Sequence, residues 1–242
     1  MSDDLSEGFA AAVALHKALI LAADDDATGT ALCPERPATP QRWTPTFRLI
    51  PYQAVDPAGL GLGGTDSFHD IGDEALDRAI RQVVWVEGPV HVLVLADRLL
   101  TGAGVARLGS RIRGRIEGRL ARLETAGELA LCHAFIARPG QFVLPPYRDW
   151  RTAPGKTRQL DHVHDGELML CLLHAVLAAE GIAVDDALNN GLHRIGFTRL
   201  TIHARQRLQA PLQALLDEGM LDNEDNRLHL GPEAFLRRIR SR

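Results

Sequence analysis

RLGSRIRGRIEGRLAR, Arg107 to Arg122, decides how the rest of the chain reads: six arginines, at 107, 111, 113, 115, 119 and 122, stand against a single acid, Glu117. At about 100° per residue, Arg111, Arg115, Arg119 and Arg122 share one stripe of a helix, and Ile112, Ile116, Leu120 and Leu123 form a second stripe a quarter-turn away. Ser110 occupies the place of an N-cap. One face of such a helix docks on a core while its neighbour presents guanidinium groups to phosphate. The plainer alternative is a solvated helix whose arginines serve solubility.

Upstream, Glu74 to Val86 places Leu76, Ile80, Val83 and Val84 on one side, and Gly88-Pro89 ends that helix. Val90 to Leu100 reads as a second helix with Val90, Leu93, Val94 and Leu99 as its apolar set, followed by a turn from Thr101 to Gly104. Downstream, Leu129 to Cys132 and Phe142 to Leu144 read as two short strands separated by Arg138-Pro139-Gly140. Three helices and a two-stranded ribbon make the element order of a winged helix, in which the third helix enters the major groove.

The order recurs. Asp165 to Ala179 carries Leu168, Leu172, Leu173, Val176 and Leu177, Val184 to Leu192 is shorter, Leu200 to Glu218 is a third helix, and Met220 to Leu230 forms a tight hairpin. A shift of 92 residues aligns Arg107-Leu108 with Arg199-Leu200, Arg113 with Arg205, Arg115 with Arg207, Ile116 with Leu208, Leu120 with Leu212, Leu123 with Leu215, Gly127 with Gly219 and Leu129 with Leu221. Glu87-Gly88 aligns with Glu180-Gly181 after one inserted residue. Arg111, Arg119 and Arg122 become His203, Pro211 and Ala214, so only the first copy keeps the cationic stripe. Pro211 also removes a helical hydrogen bond and should kink or interrupt its helix unless it sits in a first turn.

The expected fold is mainly α with small β wings: two tandem winged-helix-like units preceded by an N-terminal helix and an extended arm. Leu5 to Ala23 is alanine- and leucine-rich and helical, and four prolines between 27 and 46 make a linker. The first unit spans 47–144, with Phe47 to Val55 as an edge strand or arm and 57–66 as a glycine-rich loop. Residues 145–164 read as a link, and 165–242 as a second, degenerate unit.

Charge is segregated along the chain. Residues 1–73 carry a net −7, 74–144 a net +3, 145–164 a net +2 and 165–242 a net −2, so the overall −4 says little about partners. Aromatic content of 5% leaves little material for a base-stacking surface. Cys33, Cys132 and Cys171 show no CxxC spacing. Neither a signal peptide nor a membrane span is legible, and the chain reads as cytoplasmic.

EGPVH at 87–91, RLGSRI at 107–112, GEL at 127–129 and IGFTRLT at 195–201 resemble the helicase-associated C-terminal domain of unknown function found on large bacterial superfamily 1 helicase and nuclease proteins. The resemblance covers Phe47 to Leu230 and implies association with DNA-processing or defence machinery. It implies no catalytic residues, and residues 1–46 have no counterpart in it.

Other chemistry is weaker. Gly155-Lys156-Thr157 has Trp150 where a phosphate loop needs glycine. Asp161, His162, His164, Asp165 and Glu167 are possible metal ligands, with a polar link and an Asp165 helix cap as the simpler reading. Histidines such as His91, His174 and His193 read as packed or capping residues. No nucleophile elbow or isolated carboxylate pair is present. The expectation is therefore a non-enzymatic protein without cofactor or metal that binds double-stranded DNA with little sequence preference through Arg107, Arg111, Arg113, Arg115, Arg119 and Arg122. The alternative is an adaptor docking on a helicase, nuclease or chromosome-maintenance partner.

Overall fold

The computed structural model describes residues 48–63, 67–143, 145–179 and 181–234, and the helix expected at Leu5 to Ala23 with the proline-rich stretch after it lies outside them. The chain is mainly helical with small sheets. Helix α1 (Asp73–Glu87) is followed by strand β2 (Val90–His91), helices α2 (Val92–Gly102) and α3 (Ser110–Thr125), and strands β3 (Ala130–Cys132) and β4 (Phe135–Ala137). The later half runs α4 (Asp165–Leu177), β6 (Ile182–Ala183), α5 (Val184–Ile195), α6 (Ile202–Asp217), β7 (Leu221–Glu224) and β8 (Arg227–Leu230). Both halves build an antiparallel three-stranded sheet with the same connectivity, in the orders β2-β4-β3 and β6-β8-β7. A third sheet pairs β1 (Ile50–Pro51) in parallel with β5 (Arg148–Asp149).

Element bounds coincide at the shift of 92 residues read in the sequence. The 3₁₀ turn Phe68–Asp70 corresponds to Leu160–His162, the start of α1 to that of α4, and α3 to α6 at both ends. Acids in the first turn, Asp73 and Glu74 in α1 and Asp165 and Glu167 in α4, favour the positive end of each helix dipole. Leu76, Ile80, Val83 and Val84 of α1 meet Leu95 and Leu99 of α2 and Ile116, Leu120 and Leu123 of α3 in one core. Leu168, Leu172, Leu173 and Val176 of α4 meet Leu188, Leu192, Leu208 and Leu215 in the other.

Three expectations are corrected. The second strand of the first hairpin is Phe135–Ala137, and 141–143 lie in a turn. His133, at a φ of 51°, reverses the chain six residues before Pro139 of the Pro-Gly pair, and Phe135, Ile136 and Ala137 are all buried. The second helix begins at Val92, because Val90 and His91 pair with Ile136 and Phe135 as a strand. Helix α6 continues across Pro211 from Ile202 to Asp217. The second hairpin turns at Asp225-Asn226, both at positive φ as a two-residue hairpin turn requires.

Residues 145–164, expected as a link, contribute Tyr147, Trp150, Ala153 and Val163 to the second core, and Tyr52 of the arm joins them. A buried ionic junction ties this segment to both halves. Arg148 donates from Nη1 to the Glu87 carbonyl (2.5 Å), from Nη2 to the Pro89 carbonyl (3.0 Å) and from Nε to both Glu167 oxygens (3.1 and 3.0 Å). Trp150 Nε1 also donates to Glu167, at 3.2 Å. Glu87 in turn accepts from Arg98 Nε (2.8 Å) and Nη2 (3.1 Å), the Tyr52 hydroxyl (2.6 Å) and the Val55 amide (2.9 Å), and Arg98 reaches Thr157 at 2.9 Å. Each charge in this buried junction therefore has its partners, which is the condition for burying it at all.

Candidate nucleic-acid interface

Helix α3 packs through Ile116, Leu120 and Leu123, with Ile112 half-buried beside them. Gly109, not Ser110, holds the N-cap position, and no side chain caps the helix. The arginines divide into two sets by what their guanidinium groups meet.

Arg115 and Arg119 turn inward to α1, and Arg122, half in solvent, reaches Asp77 from the rim. Arg115 donates to the Phe68 carbonyl (2.7 Å), the Ile71 carbonyl and Asp73 Oδ1 (3.0 Å). Arg119 holds Asp77 by a fork, Nε to Oδ1 at 2.7 Å and Nη2 to Oδ2 at 2.5 Å, and reaches Asp73 at 2.7 Å. Arg122 adds a second contact to Asp77 Oδ2. The Arg119 fork, helped by Arg122, holds the Asp77 carboxyl below its ordinary range against the effect of burial. Arg115 and Arg119 are only 19% and 15% exposed, and their charge is spent on bridging α3 to α1.

The later half of the chain carries a counterpart of one of these contacts. Arg207, the counterpart of Arg115, donates to the Val163 carbonyl at 2.7 Å and pairs with Asp165. Val163 and Asp165 stand 92 residues after Ile71 and Asp73. The same clamp thus fastens the third helix to the entry of the first helix in both copies. Asp77, Arg119 and Arg122, by contrast, are replaced by Met169, Pro211 and Ala214, so the ionic seam of one copy is apolar in the other.

Arg107 and Arg111 are exposed, and Arg122 keeps 54% of its side chain in solvent. The outer face of α3 consists of Arg111, Gly114, Gly118, Ala121, Arg122 and Thr125, which fall within roughly 100° of arc. Nothing lies within 4 Å of a Cβ built at Gly114 or Gly118, so the middle of this face is bare backbone between arginines. Arg113 lies on a different side, lining a shallow groove with Val92, Leu93, Ala96, Leu108, Ile116 and Glu117. Its counterpart Arg205 forks onto Asp185 at the start of α5, where Nη2 to Oδ2 is 2.9 Å.

The stripe read from the sequence is therefore brought together on one helix, but half of it faces inward. The acids that hold it, Asp73 and Asp77, went unread; the recurrence of Asp73 as Asp165 alongside Arg115 as Arg207 was the available signal. The five side chains from Asp161 to Glu167 diverge to different partners. Asp161 meets His203 (3.0 Å), His162 Nδ1 the Thr157 carbonyl (2.9 Å), Asp165 meets Arg207, and Glu167 meets Arg148. His164, rather than Asp165, caps α4, its Nδ1 accepting from the Gly166 amide at 3.1 Å. Among the described residues no group of three or more His, Cys, Asp and Glu could hold a metal. None of the described helices is long and apolar enough to cross a membrane.

A family described as a protein of unknown function, DUF3320, matches residues 66–114, from the turn ahead of α1 to the first turn of α3. No curated protein and no solved structure matches the chain. The likeness is thus to a domain of unknown function over α1, α2 and the entry of the arginine helix.

Proposed function

We propose that the chain is a non-enzymatic, largely sequence-independent DNA-binding accessory protein of a cytoplasmic helicase or nuclease DNA-processing or defence system. Its two repeated halves are winged-helix-like units, of which the first meets double-stranded DNA. The observation that carries the reading is the outer face of α3, where bare helix backbone at Gly114 and Gly118 is bracketed by Arg111 and Arg122, with Arg107 ahead of it. A face with no side chains in its middle lets a phosphate backbone come close, and arginines at its ends neutralise phosphates without reading bases. The phosphate-meeting set is then Arg107, Arg111 and Arg122, with Arg115 and Arg119 setting the pose of the helix.

Binding of a random-sequence duplex across a salt series tests this. Arg107→Ala and Arg111→Ala should each lower the slope of log affinity against log salt by about 1. An unchanged slope in both would overturn the reading.

The adaptor reading is favoured by a separate feature. Trp85 is 68% exposed on α1 beside the exposed Val86, and the Arg138 guanidinium lies 4.5 Å from its ring centroid. Tryptophan and arginine together are the residues that most often anchor protein interfaces.

A further inference from the structure

The outer face of α3 and the tip of the second hairpin carry opposite charge, and among the described residues no hydrogen bond or ion pair joins them. Asp222 to Arg227 are six consecutive exposed residues, and Asp222, Glu224 and Asp225 among them are acids. The base among them, Arg227, is held by its own half, its Nη2 donating to the Gly181 carbonyl at 2.7 Å. Asp222 and Glu224 alternate along β7 and so project from the same side of it, with Asp225 beside them in the turn. These three acids have no hydrogen-bond or ion-pair partner among the described residues, nor have Arg107 and Arg111. Arg122 commits one guanidinium nitrogen to Asp77.

The dimensions agree. Arg111 and Arg122 stand about three turns apart on α3, roughly 16 Å along its axis. The three acids occupy on the order of 10 Å of hairpin, so a long guanidinium stem at each end closes the difference. Gly114 and Gly118, with open space above them, leave room for the hairpin between the arginines. Strand β7 is the edge of its sheet, and acids along an edge disfavour pairing with another strand, so the contact is one of side chains.

We propose that the acidic hairpin tip of one molecule docks on the outer face of α3 of a second molecule of this chain, with Asp222, Glu224 and Asp225 meeting Arg107, Arg111 and Arg122. Each molecule carries one tip and one face, so the contact repeats, reciprocally in a closed pair or in succession along an open chain. The net +3 over 74–144 and −2 over 165–242 draw two molecules together in this orientation. The later half offers no second face of the kind, because the counterparts of Arg111 and Arg122 are His203, which meets Asp161, and the buried Ala214. The first hairpin offers no second tip, since Cys132 to Phe135 contains no acid. Exposed ion pairs are screened by salt, so the association is weak and salt-sensitive. The contact stands apart from the DNA-binding reading, on which only its consequence rests: a duplex competes for the same guanidinium groups.

Sedimentation of the full chain over a concentration series at low and high salt tests the contact. Mass should rise above that of the monomer with concentration at low salt and return to it at high salt. Arg107→Glu with Arg111→Glu, and separately Asp222→Lys with Glu224→Lys, should each weaken association about tenfold or more. The two variants mixed in equal amounts should associate as the unsubstituted chain does, because each then meets a tip and a face of opposite charge. A control with Glu74→Lys and Asp186→Lys, at exposed acids of α1 and α5, makes the same charge change away from the hairpin and should associate like the unsubstituted chain. A chain monomeric throughout, a variant that still associates, a mixture that stays monomeric or a control that fails as the tip variant does overturns the proposal. A random duplex that leaves the associated mass unchanged, while the reversals abolish it, upholds the contact and removes the DNA reading instead.

Discussion

Acidification to about pH 5 should remove a large share of the protein's stability, and the cause lies at the junction between its halves. His91 caps α2 through Nδ1 and is 3% exposed, with its ring 4.7 Å from His162 and edge-on to Phe135 at 5.3 Å. His164 caps α4 and is 9% exposed, stacked on Phe142 at 5.0 Å and against Phe135 at 5.1 Å. Burial pushes His91 down to about 3, with His162 and Arg207 adding repulsion. Burial likewise pushes His164 down to about 4, Asp165 opposing the shift and Arg148, Arg207 and His133 reinforcing it. His162 and His174 are lowered by burial in the same sense. A histidine whose folded pKa is depressed is buried neutral. For a histidine, this leaves stability intact above the unfolded value of about 6.5, and lost progressively as pH falls toward the folded value. Each pH unit in that window costs about 1.4 kcal/mol per imidazole, so His91 and His164 together withdraw about 4 kcal/mol by pH 5. That is comparable to the whole stability of a marginal domain. The carboxylates held low by arginines, Asp77, Asp149 and Asp185, lose their contribution only as pH falls below about 4, outside this window. Urea unfolding followed by tryptophan fluorescence at about pH 7.5 and pH 5 measures the difference. His164→Asn keeps a good N-cap while removing one titration, and should recover about 2 kcal/mol of the loss. A stability that changes by less than about 1 kcal/mol between the two pH values would refute the reasoning.

The clamp and the junction make further predictions. Arg115→Ala and Arg207→Ala should each cost about 1–3 kcal/mol in chemical denaturation, since the first leaves the Phe68 and Ile71 carbonyls without their donor while Asp73 keeps Arg119, and the second strips both the Val163 carbonyl and Asp165. Arg119→Ala should cost a similar amount by exposing the need of buried Asp77, whereas Asp77→Met combined with Arg119→Leu, which copies the apolar character of the other half, should be within about 1 kcal/mol of the parent. Arg148→Ala should cost about 3–5 kcal/mol, because Glu167 at 0% exposure loses its main counter-charge, and the thermal midpoint would report it. Loss of less than about 1 kcal/mol there would mean that water enters the junction freely.

Helices were legible because burial on one side imposes a 3.6-residue period, and Leu76, Ile80, Val83 and Val84 write it plainly. The two-residue strands Val90–His91 and Ile182–Ala183 were not, since so short a run carries no period, and their existence depends on a partner strand about 45 residues away. The role of 145–164 was hidden for a related reason. Its prolines and charges look solvated, yet Arg148 is buried at 4% exposure because two carbonyls of the other half and Glu167 replace its water. The arginine helix was legible as a basic helix, but which guanidiniums were spent internally depended on Asp73 and Asp77, more than 40 residues earlier in the sequence.

Comparison of the two copies sorts the arginines more sharply than helix angle can. What the fold requires must recur: Arg115 returns as Arg207 with the same carbonyl and the same aspartate beneath it. What the fold can achieve in another way is exchanged in concert, as Asp77, Arg119 and Arg122 give way together to Met169, Pro211 and Ala214. Arg111 fits neither pattern. Among the described residues it has no hydrogen-bond or ion-pair partner that would have to change with it, and its counterpart His203 faces solvent beside Asp161. A cation kept at an exposed position where the fold gains nothing from it, next to two glycines that lower helix stability by about 1 kcal/mol each, is costly unless something binds there. That cost favours the proposed binding role of the outer face of α3 on grounds independent of its charge.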